Sequence, residues 1–352
     1  MSLDNFLNKS ISRWMEGDGP HSSVVISTRV RLARNFGDFA FPGQAGAQEL
    51  EKVEQQVRRW WNQGGLKALG KTSSISMREL DENQRQALVD QHLVSPNLAR
   101  QGYGMVLLDK DGSVSIMVNE EDHLRIQTLF SGLQLAEAWD LASRVDDLFD
   151  SGFRYAWSPE LGYLTSCPTN VGTGMRASVM LHLPGLAWAG QLPIVLGTIS
   201  KVGMVVRGLY GEGSESQGNI YQISNQTTLG QSEEEIIEAL NRVALQVIRQ
   251  ELDTRQKLLE RDGVALADRI WRAYGILANA RVITSGEALE LLSSLRLGID
   301  LNIIKGLSPR ILQELLVMTR PGYLQQVFGR KLSPRERDEK RAELIRELVN
   351  KK

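Results

Sequence analysis

"GMVLLDKDGSVSIMVN" (Gly104–Asn119) places two apolar runs on either side of Asp111-Gly112, the pattern of a β-hairpin. A hairpin joins antiparallel strands, whereas a parallel pair needs a long crossover connection. Further strands are expected in "SVVISTRVRL" (23–32), "FRYAW" (153–157), "LGYLTS" (161–166), "TISKVGMVVRGLYG" (198–211) and "NIYQISNQT" (219–227). Helical patterns occupy 46–63, 81–92, 120–131 and 133–149. Several strand links are too short for crossover helices. The fold class is therefore α+β, an antiparallel sheet flanked by helices.

After Leu229 the pattern changes. Ser232 and Glu235 form a capping box, and Ile236, Leu240, Val243 and Val247 recur at helical spacing. Further helix starts are expected at Ser308-Pro309 and at Ser333-Pro334 with Glu336. The chain divides near residue 254 into a domain over 1–254 and an all-helical domain over 255–352. No fixed-period repeat is present.

The 352 residues carry a formal net charge of -1, with 42% hydrophobic and 24% charged residues. This balance suits a soluble globular protein with ample core and argues against a general nucleic-acid binder. "MSLDNFLNKSISRW" has no uninterrupted apolar core, so no signal peptide is read there, and no apolar run is long enough for a membrane span. One cysteine excludes a disulfide framework and fits a reducing cytoplasm. Four scattered histidines give no zinc-ligand spacing, so no structural metal site is expected.

Leu161 to Gly211 contains no aspartate or glutamate, and Arg176, Lys201 and Arg207 are its only charges. A buried sheet that happens to lack acids would look like this. So would a surface kept clear for a polyanion, with Gly172 and Gly174 bringing backbone N–H groups to phosphate oxygens. "GTGMRA" mimics a dinucleotide fingerprint, but no clear parallel strand precedes it and no acid follows at ribose-holding distance. No Walker pattern is present, so phosphate binding must rest on arginines.

Four blocks in order, "STRVR" (27–31), "VNEEDHLR" (118–125), "CPTNVGTGMR" (167–176) and "VRGLYGE" (206–212), resemble the phosphagen, or guanidino, kinases over about residues 22–254. The resemblance implies ATP and Mg2+, the ion being held through the phosphates and water rather than by protein ligands. It implies nucleotide contacts from Ser27, Thr28, Arg29, Val30, Arg31, His92 and Arg125, and from Arg176, Ala177, Ser178, Val179 and Met180. Arg207, Gly208, Leu209, Tyr210 and Gly211 complete that set. His92 is expected against the adenine, although a half-buried structural histidine would read the same in isolation. Planar guanidinium groups suit the task because each grips two phosphate oxygens.

The acceptor guanidinium, with a pKa above 12, must lose a proton as it attacks. The resemblance gives that task to Glu121 and a second grip on the acceptor to Glu212, which arginine-specific members carry and creatine-specific members lack. Glu120 and Asp122 read as scaffold. Cys167 is expected to orient the acceptor electrostatically rather than covalently, an inert buried thiol being the other reading. Val171 and Tyr210 depart from the usual leucine or isoleucine and the usual basic residue, and Tyr210 leaves the role of its loop open.

Metabolite kinases of this family carry a long helical domain before the "STRVR" strand, including a lid over a free guanidino compound. Here about twenty residues precede that strand, and the helical module after 254 has no counterpart there. This arrangement resembles the bacterial protein-arginine kinases. It implies protein substrates with exposed arginines, a stress-response role feeding a Clp-type protease, a possible activator protein, a cytoplasmic location and a homodimer. "RDEKRA" (337–342) matches their RDxxRA pattern, which implies an allosteric phosphoarginine pocket from Arg337, Asp338, Arg341 and Ala342. Without the resemblance it reads as an exposed charged helix end. Two further readings stay open: a kinase for free arginine or another small guanidino metabolite, and a non-catalytic adaptor that binds phosphoarginine.

Overall fold

Eight strands form one antiparallel sheet in the computed structural model, which describes residues 12–208 and 216–351. In chain order the strands are β1 (Val25–Arg34), β2 (Thr72–Ser76), β3 (Met105–Asp109), β4 (Val114–Val118), β5 (Leu124–Ser131), β6 (Trp157–Ser158), β7 (Gly162–Tyr163), β8 (Met175–His182), β9 (Met204–Gly208) and β10 (Ile220–Asn225). Side by side they run β2-β3-β4-β5-β1-β8-β10-β9, with β6 and β7 paired separately. All pairings are antiparallel. The Gly104–Asn119 hairpin forms as expected, with Met105 opposite Val118 and Leu108 opposite Ser115. Gly112 supplies the left-handed turn conformation, and the Asp109 carboxylate accepts a bond from the Val114 N–H at 2.9 Å.

The helices are α1 (Ala47–Asn62), α2 (Glu82–Asp90), α3 (Pro96–Gln101), α4 (Leu135–Asp150), α5 (Pro184–Trp188), α6 (Leu192–Lys201), α7 (Glu233–Asn279), α8 (Ser285–Asp300), α9 (Ile311–Met318), α10 (Pro321–Val327) and α11 (Pro334–Val349). Four expectations need correction. Of the strands expected over 153–157 and 161–166 only the two-residue β6 and β7 form. Residues 120–131 are not helical: 124–131 is strand β5, in which Leu124 and Ile126 alternate with Arg125 and Gln127 before Leu129 and Phe130, each buried on its own face, break the period. The stretch 198–211 begins as the end of α6, and strand β9 starts only at Met204. Helix α9 begins at Ile311 rather than at Pro309, because Ser308 caps a preceding turn, accepting from the Arg310 N–H at 3.3 Å.

Directly paired residues of antiparallel strands share a face. Val30, Leu32, Ile126, Phe130, Ala177, Val179 and Ile223 line one face, packed on Ala138, Ala142 and Val145 of α4 and on Ile236, Leu240 and Val247 of α7. The opposite face carries the arginines described below. Helix α7 opens with the Ser232–Glu235 capping box, runs through residue 254, and kinks at Asp262. Helix α11 opens with the expected Ser333–Glu336 box and Pro334 at its first position.

The C-terminal helices do not hang free of the sheet. Leu266, Ile270, Leu292, Leu312, Leu315 and Ile345 share a core with Ile26, Leu129, Met180 and Ile220 of the strands. Buried beside that core, Arg255 bonds Glu251 at 2.6 Å and Asp300 at 3.2 Å, and Arg296 bonds Asp300 at 2.9 Å. The same two arginines donate to the Ser23 and Ser22 carbonyls at the entry to β1. The helical module thus grips the strand that carries Arg29 and Arg31.

Candidate active site

Register alone gathers the arginines. Arg29 and Arg31 sit two apart on β1, and Arg31 faces Gln127 on β5 and Arg176 on β8. Arg125 faces Ala33, one pair further along β1. Arg207 faces Gln222 on β10, which faces Met180 on β8. All five guanidinium groups therefore lie on one face of the sheet. Their neighbours do little to neutralise them. Arg125 pairs with Glu120 at 3.0 Å, and Arg29 donates to the neutral Gln222 amide at 2.9 Å.

Burial, then Arg125 and Arg176, lower the Arg29 pKa to about 10. Burial and the charges of Arg29, Arg125 and Arg176 push Arg31 down further, with Glu120 opposing. Burial also lowers Arg176, with Arg207 adding to the effect and Cys167 opposing it. Cations crowded out of water in this way are stabilised by a bound polyanion. One donor is already waiting: among the described residues, Arg31 Nε is buried without a hydrogen-bond partner. The chemistry of this face fits a nucleotide triphosphate.

Arg29, Arg31 and Arg125 wall a cleft of about 450 Å³ that reaches His92 and is also lined by Gln86, Asp90, Pro96, Met180 and Arg320. That volume is in the range of small-molecule pockets. His92 adopts a left-handed backbone conformation after α2, with its carbonyl accepting from Gln127 Nε2 at 2.8 Å and its ring edge-on to Trp14. Burial, then Arg29 and Arg320, lower its pKa to about 3. The ring is neutral and presents an apolar face, suited to a flat heterocycle.

A smaller pocket adjoins the cleft through Arg31 and Arg125 and contains Glu120, Glu121 and Asp122. The turn 119–123 commits these carboxylates differently. Glu120 is buried and takes bonds from Ser95 Oγ, the Glu121 N–H and Arg125. Burial alone would raise its pKa, but Arg125 and these bonds leave it below the ordinary value. Asp122 accepts from Asn35 Nδ2 at 2.6 Å and from the Ser166 N–H at 2.7 Å. His123 is a structural post: its N–H binds Asn35 and its Nδ1 accepts from the Phe36 N–H. Glu121 alone points outward, exposed, and burial, then Asp122 and Glu120, raise its pKa. A carboxylate raised by its neighbours is a better proton acceptor.

Asp122 thereby ties the acidic turn to the Cys167 loop. Cys167 is half-buried, 3.0 Å from Thr169 Oγ1, and near enough to Arg176 for a thiolate to stabilise that cation. Gly172 serves a different end from the one expected, whereas Gly174 lines the pocket with Arg31, Arg125 and Arg176. A Cβ on Gly172 would fall 2.2 Å from the Thr228 carbonyl oxygen, and its φ is +112°. The N–H groups of Gly172 and Thr173 are spent on the Tyr163 and Thr228 carbonyls, so they are not donors for phosphate. Glycine is there to let two backbones touch.

Other residues of the expected set divide between the two faces of the sheet. Val30, Ala177 and Val179 point into the core, and Thr28 donates to the Gly132 carbonyl. Ser27, Ser178 and Met180 share the arginine face by register. Arg207 and Gly208 end β9, whereas Leu209, Tyr210, Gly211 and Glu212 lie outside the described residues. At the far end of the chain, Arg341 is buried and donates to the Thr319 and Ile283 carbonyls and to Asp338, while Ala342 is packed in the core. Arg337 is half-exposed beside them.

Sequence reading missed Asn35, Asp90, Gln222 and Arg320. Gln222 alternates with apolar neighbours in "NIYQISN", a period-2 signal that marks a polar face position; the other three carried no such signal.

Among the described residues no helix is long and apolar enough to cross a membrane. Residues 52–254 match the ATP:guanido phosphotransferase C-terminal catalytic domain, and 263–352 match the protein-arginine kinase McsB C-terminal domain. Protein-arginine kinases of Bacillus cereus strains AH187 and G9842 are each 50% identical to the chain over 99% of both proteins. The duplicated taurocyamine kinase of Schistosoma mansoni, solved with transition-state analogue components, is 28% identical with a TM-score of 0.58, covering 67% of this chain and 34% of that one. Lombricine kinase, at 22% identity and a TM-score of 0.56 over 74% of this chain and 71% of its own, shares the fold. With both modules matched and half of all residues identical along nearly the whole length, the chain belongs to the protein-arginine kinase family of ATP:guanido phosphotransferases.

Proposed function

We propose that this protein transfers the γ-phosphoryl group of ATP to arginine side chains of other proteins. The observation that carries this reading is the exposed Glu121 beside a five-arginine sheet face on which, among the described residues, the buried Arg31 Nε has no partner. Arg29, Arg31, Arg125, Arg176 and Arg207 hold the triphosphate, and His92 meets the adenine. Magnesium comes with the phosphates, held through them and water as the family resemblance implies. Glu121 takes the proton from the attacking guanidinium nitrogen, with Glu212 as the second grip. The lone pair released attacks the γ-phosphorus, and ADP leaves. The exposure of Glu121 favours an acceptor presented on a protein surface, as the names of the 50% identical relatives also do. The test is the product: label from γ-labelled ATP should appear on arginine of a protein acceptor and be lost in acid. Acid-stable label on serine, threonine or tyrosine would reject the reading.

Cys167 steers the acceptor through charge rather than by forming a phosphocysteine. Cys167→Ser is expected to slow transfer about tenfold, the scale of one charge-assisted contact, without abolishing it. Complete loss, or a trapped phosphorylated cysteine in the native enzyme, would contradict this role.

The division into a catalytic domain (1–254) and a helical domain (255–352) belongs to the same proposal. The helical domain serves dimerisation and regulation, with phosphoarginine binding at Arg337 and Asp338. The Arg341 bonds to Asp338, Thr319 and Ile283 hold that segment in place. Asp338→Ala should blunt the kinase's response to free phosphoarginine while basal turnover changes less than twofold. An unaltered response would dismiss the pocket. On the family resemblance, the marked proteins are clients of a Clp-type protease in a cytoplasmic stress response, with an activator protein as a possible further partner. The runner-up is a kinase for free arginine.

A further inference from the structure

The nucleotide cleft is not built by the catalytic domain alone. Arg320, between α9 and α10 of the helical module, lines the same cleft as Arg29, Arg31, His92 and Arg125. Its charge acts on His92 and on Asp90, and it has no part in the smaller pocket around Glu121.

Arg320 is held there from two sides. The N–H groups of Gly322 and Tyr323 both donate to Asp90 Oδ2, at 2.8 and 3.2 Å, pinning the start of α10 to the end of α2, two residues before His92. Gly322 is required for this approach, since a Cβ there would fall 2.6 Å from that carboxylate oxygen. On the other side, the carbonyl of Thr319 accepts from Arg341 Nε at 3.0 Å. The segment 319–323 is thus clamped between the cleft wall and helix α11.

We propose that Arg320 is a nucleotide-binding residue supplied by the helical module. This rests on the assignment of the cleft to ATP. A cation at the His92 end, added to a face already rich in arginine, adds to the attraction for a polyanionic ligand and costs affinity when removed. Because Arg320 lines the cleft and not the Glu121 pocket, its loss should affect ATP and spare the acceptor.

The test uses the full-length protein and Mg·ATP, with binding measured by equilibrium dialysis and kinetics by label transfer. Arg320→Gln is expected to weaken ATP binding and raise its KM about tenfold, with the KM for the protein acceptor unchanged and kcat within about twofold. Arg320→Lys, which keeps the cation, should recover part of the loss. Thermal melting without nucleotide separates binding from folding. If Arg320→Gln melts low, the comparison with Arg320→Lys at a temperature where both are folded decides. Wild-type affinity in Arg320→Gln, or equal affinities in the Gln and Lys variants, would overturn the role of Arg320 while leaving the cleft assigned to ATP. Failure of the wild-type protein to bind Mg·ATP would overturn both.

Discussion

Replacing Glu121 with alanine is expected to lower phosphoryl transfer at saturating ATP and acceptor by about 10³-fold, the range of a lost general base. ATP affinity should change little, because Glu121 makes no bond to any of the five arginines whereas Glu120 holds Arg125. Three adjacent carboxylates are committed differently. Glu120 is buried under an arginine and Asp122 braces the Cys167 loop, so neither can swing toward an acceptor without breaking structure. Glu121 has its backbone fixed by Glu120 and its side chain outward.

The pH dependence follows from the same arrangement. Burial, Asp122 and Glu120 raise the Glu121 pKa, so the base is lost by protonation at a higher pH than an ordinary glutamate. Activity should be flat above that raised value and fall as pH drops through it. In Glu121→Gln this limb should vanish along with most of the rate. A Glu121→Ala variant that turns over within tenfold of wild type, in single-turnover label transfer, would remove Glu121 from the mechanism.

Glu251→Ala should cost about 3–5 kcal/mol of unfolding free energy, the scale for stranding a buried charge. Glu251 is fully buried, and its two oxygens accept from Arg255 and from the N–H groups of Gly185 and Leu186 at the start of α5. Truncation leaves Arg255 with Asp300 and two carbonyls but without its nearest anion, and leaves two amides unpaired. The exposed pair Arg144–Asp140 is the control, since Asp140→Ala should leave the urea midpoint almost unmoved. Because Arg255 and Arg296 hold the entry to β1, Glu251→Ala should also loosen ATP binding at temperatures where the protein stays folded. A midpoint for Glu251→Ala equal to that of Asp140→Ala would show that this network adds nothing to stability.

The sheet was legible where strands alternate or meet at a glycine turn. The Gly104–Asn119 hairpin shows as two apolar runs meeting at Asp111-Gly112, and β1 as Arg29 and Arg31 alternating with Val30 and Leu32. Strand β5 was not: Leu124 and Ile126 alternate with Arg125 and Gln127, but Leu129 and Phe130, one on each buried face, break the period. The arginines, His92 and Glu121 could be named from local motifs, each lying within a short contiguous block. Asp90 and Arg320 could not: they are about 230 residues apart, and only docking of α10 against α2 brings them together. The same limit applied to Arg255, whose partners come from β1's entry, β8, α7 and α8. Gly172 was read as a phosphate loop because its composition is the same as that of a close chain crossing.

The most direct test of the central claim offers γ-labelled ATP with magnesium to the purified protein, with free arginine and an unfolded protein supplied in parallel. Acid-labile label is expected on the protein and none on free arginine. Label on free arginine alone would contradict the claim, and would make the exposed Glu121 site that of a metabolite kinase.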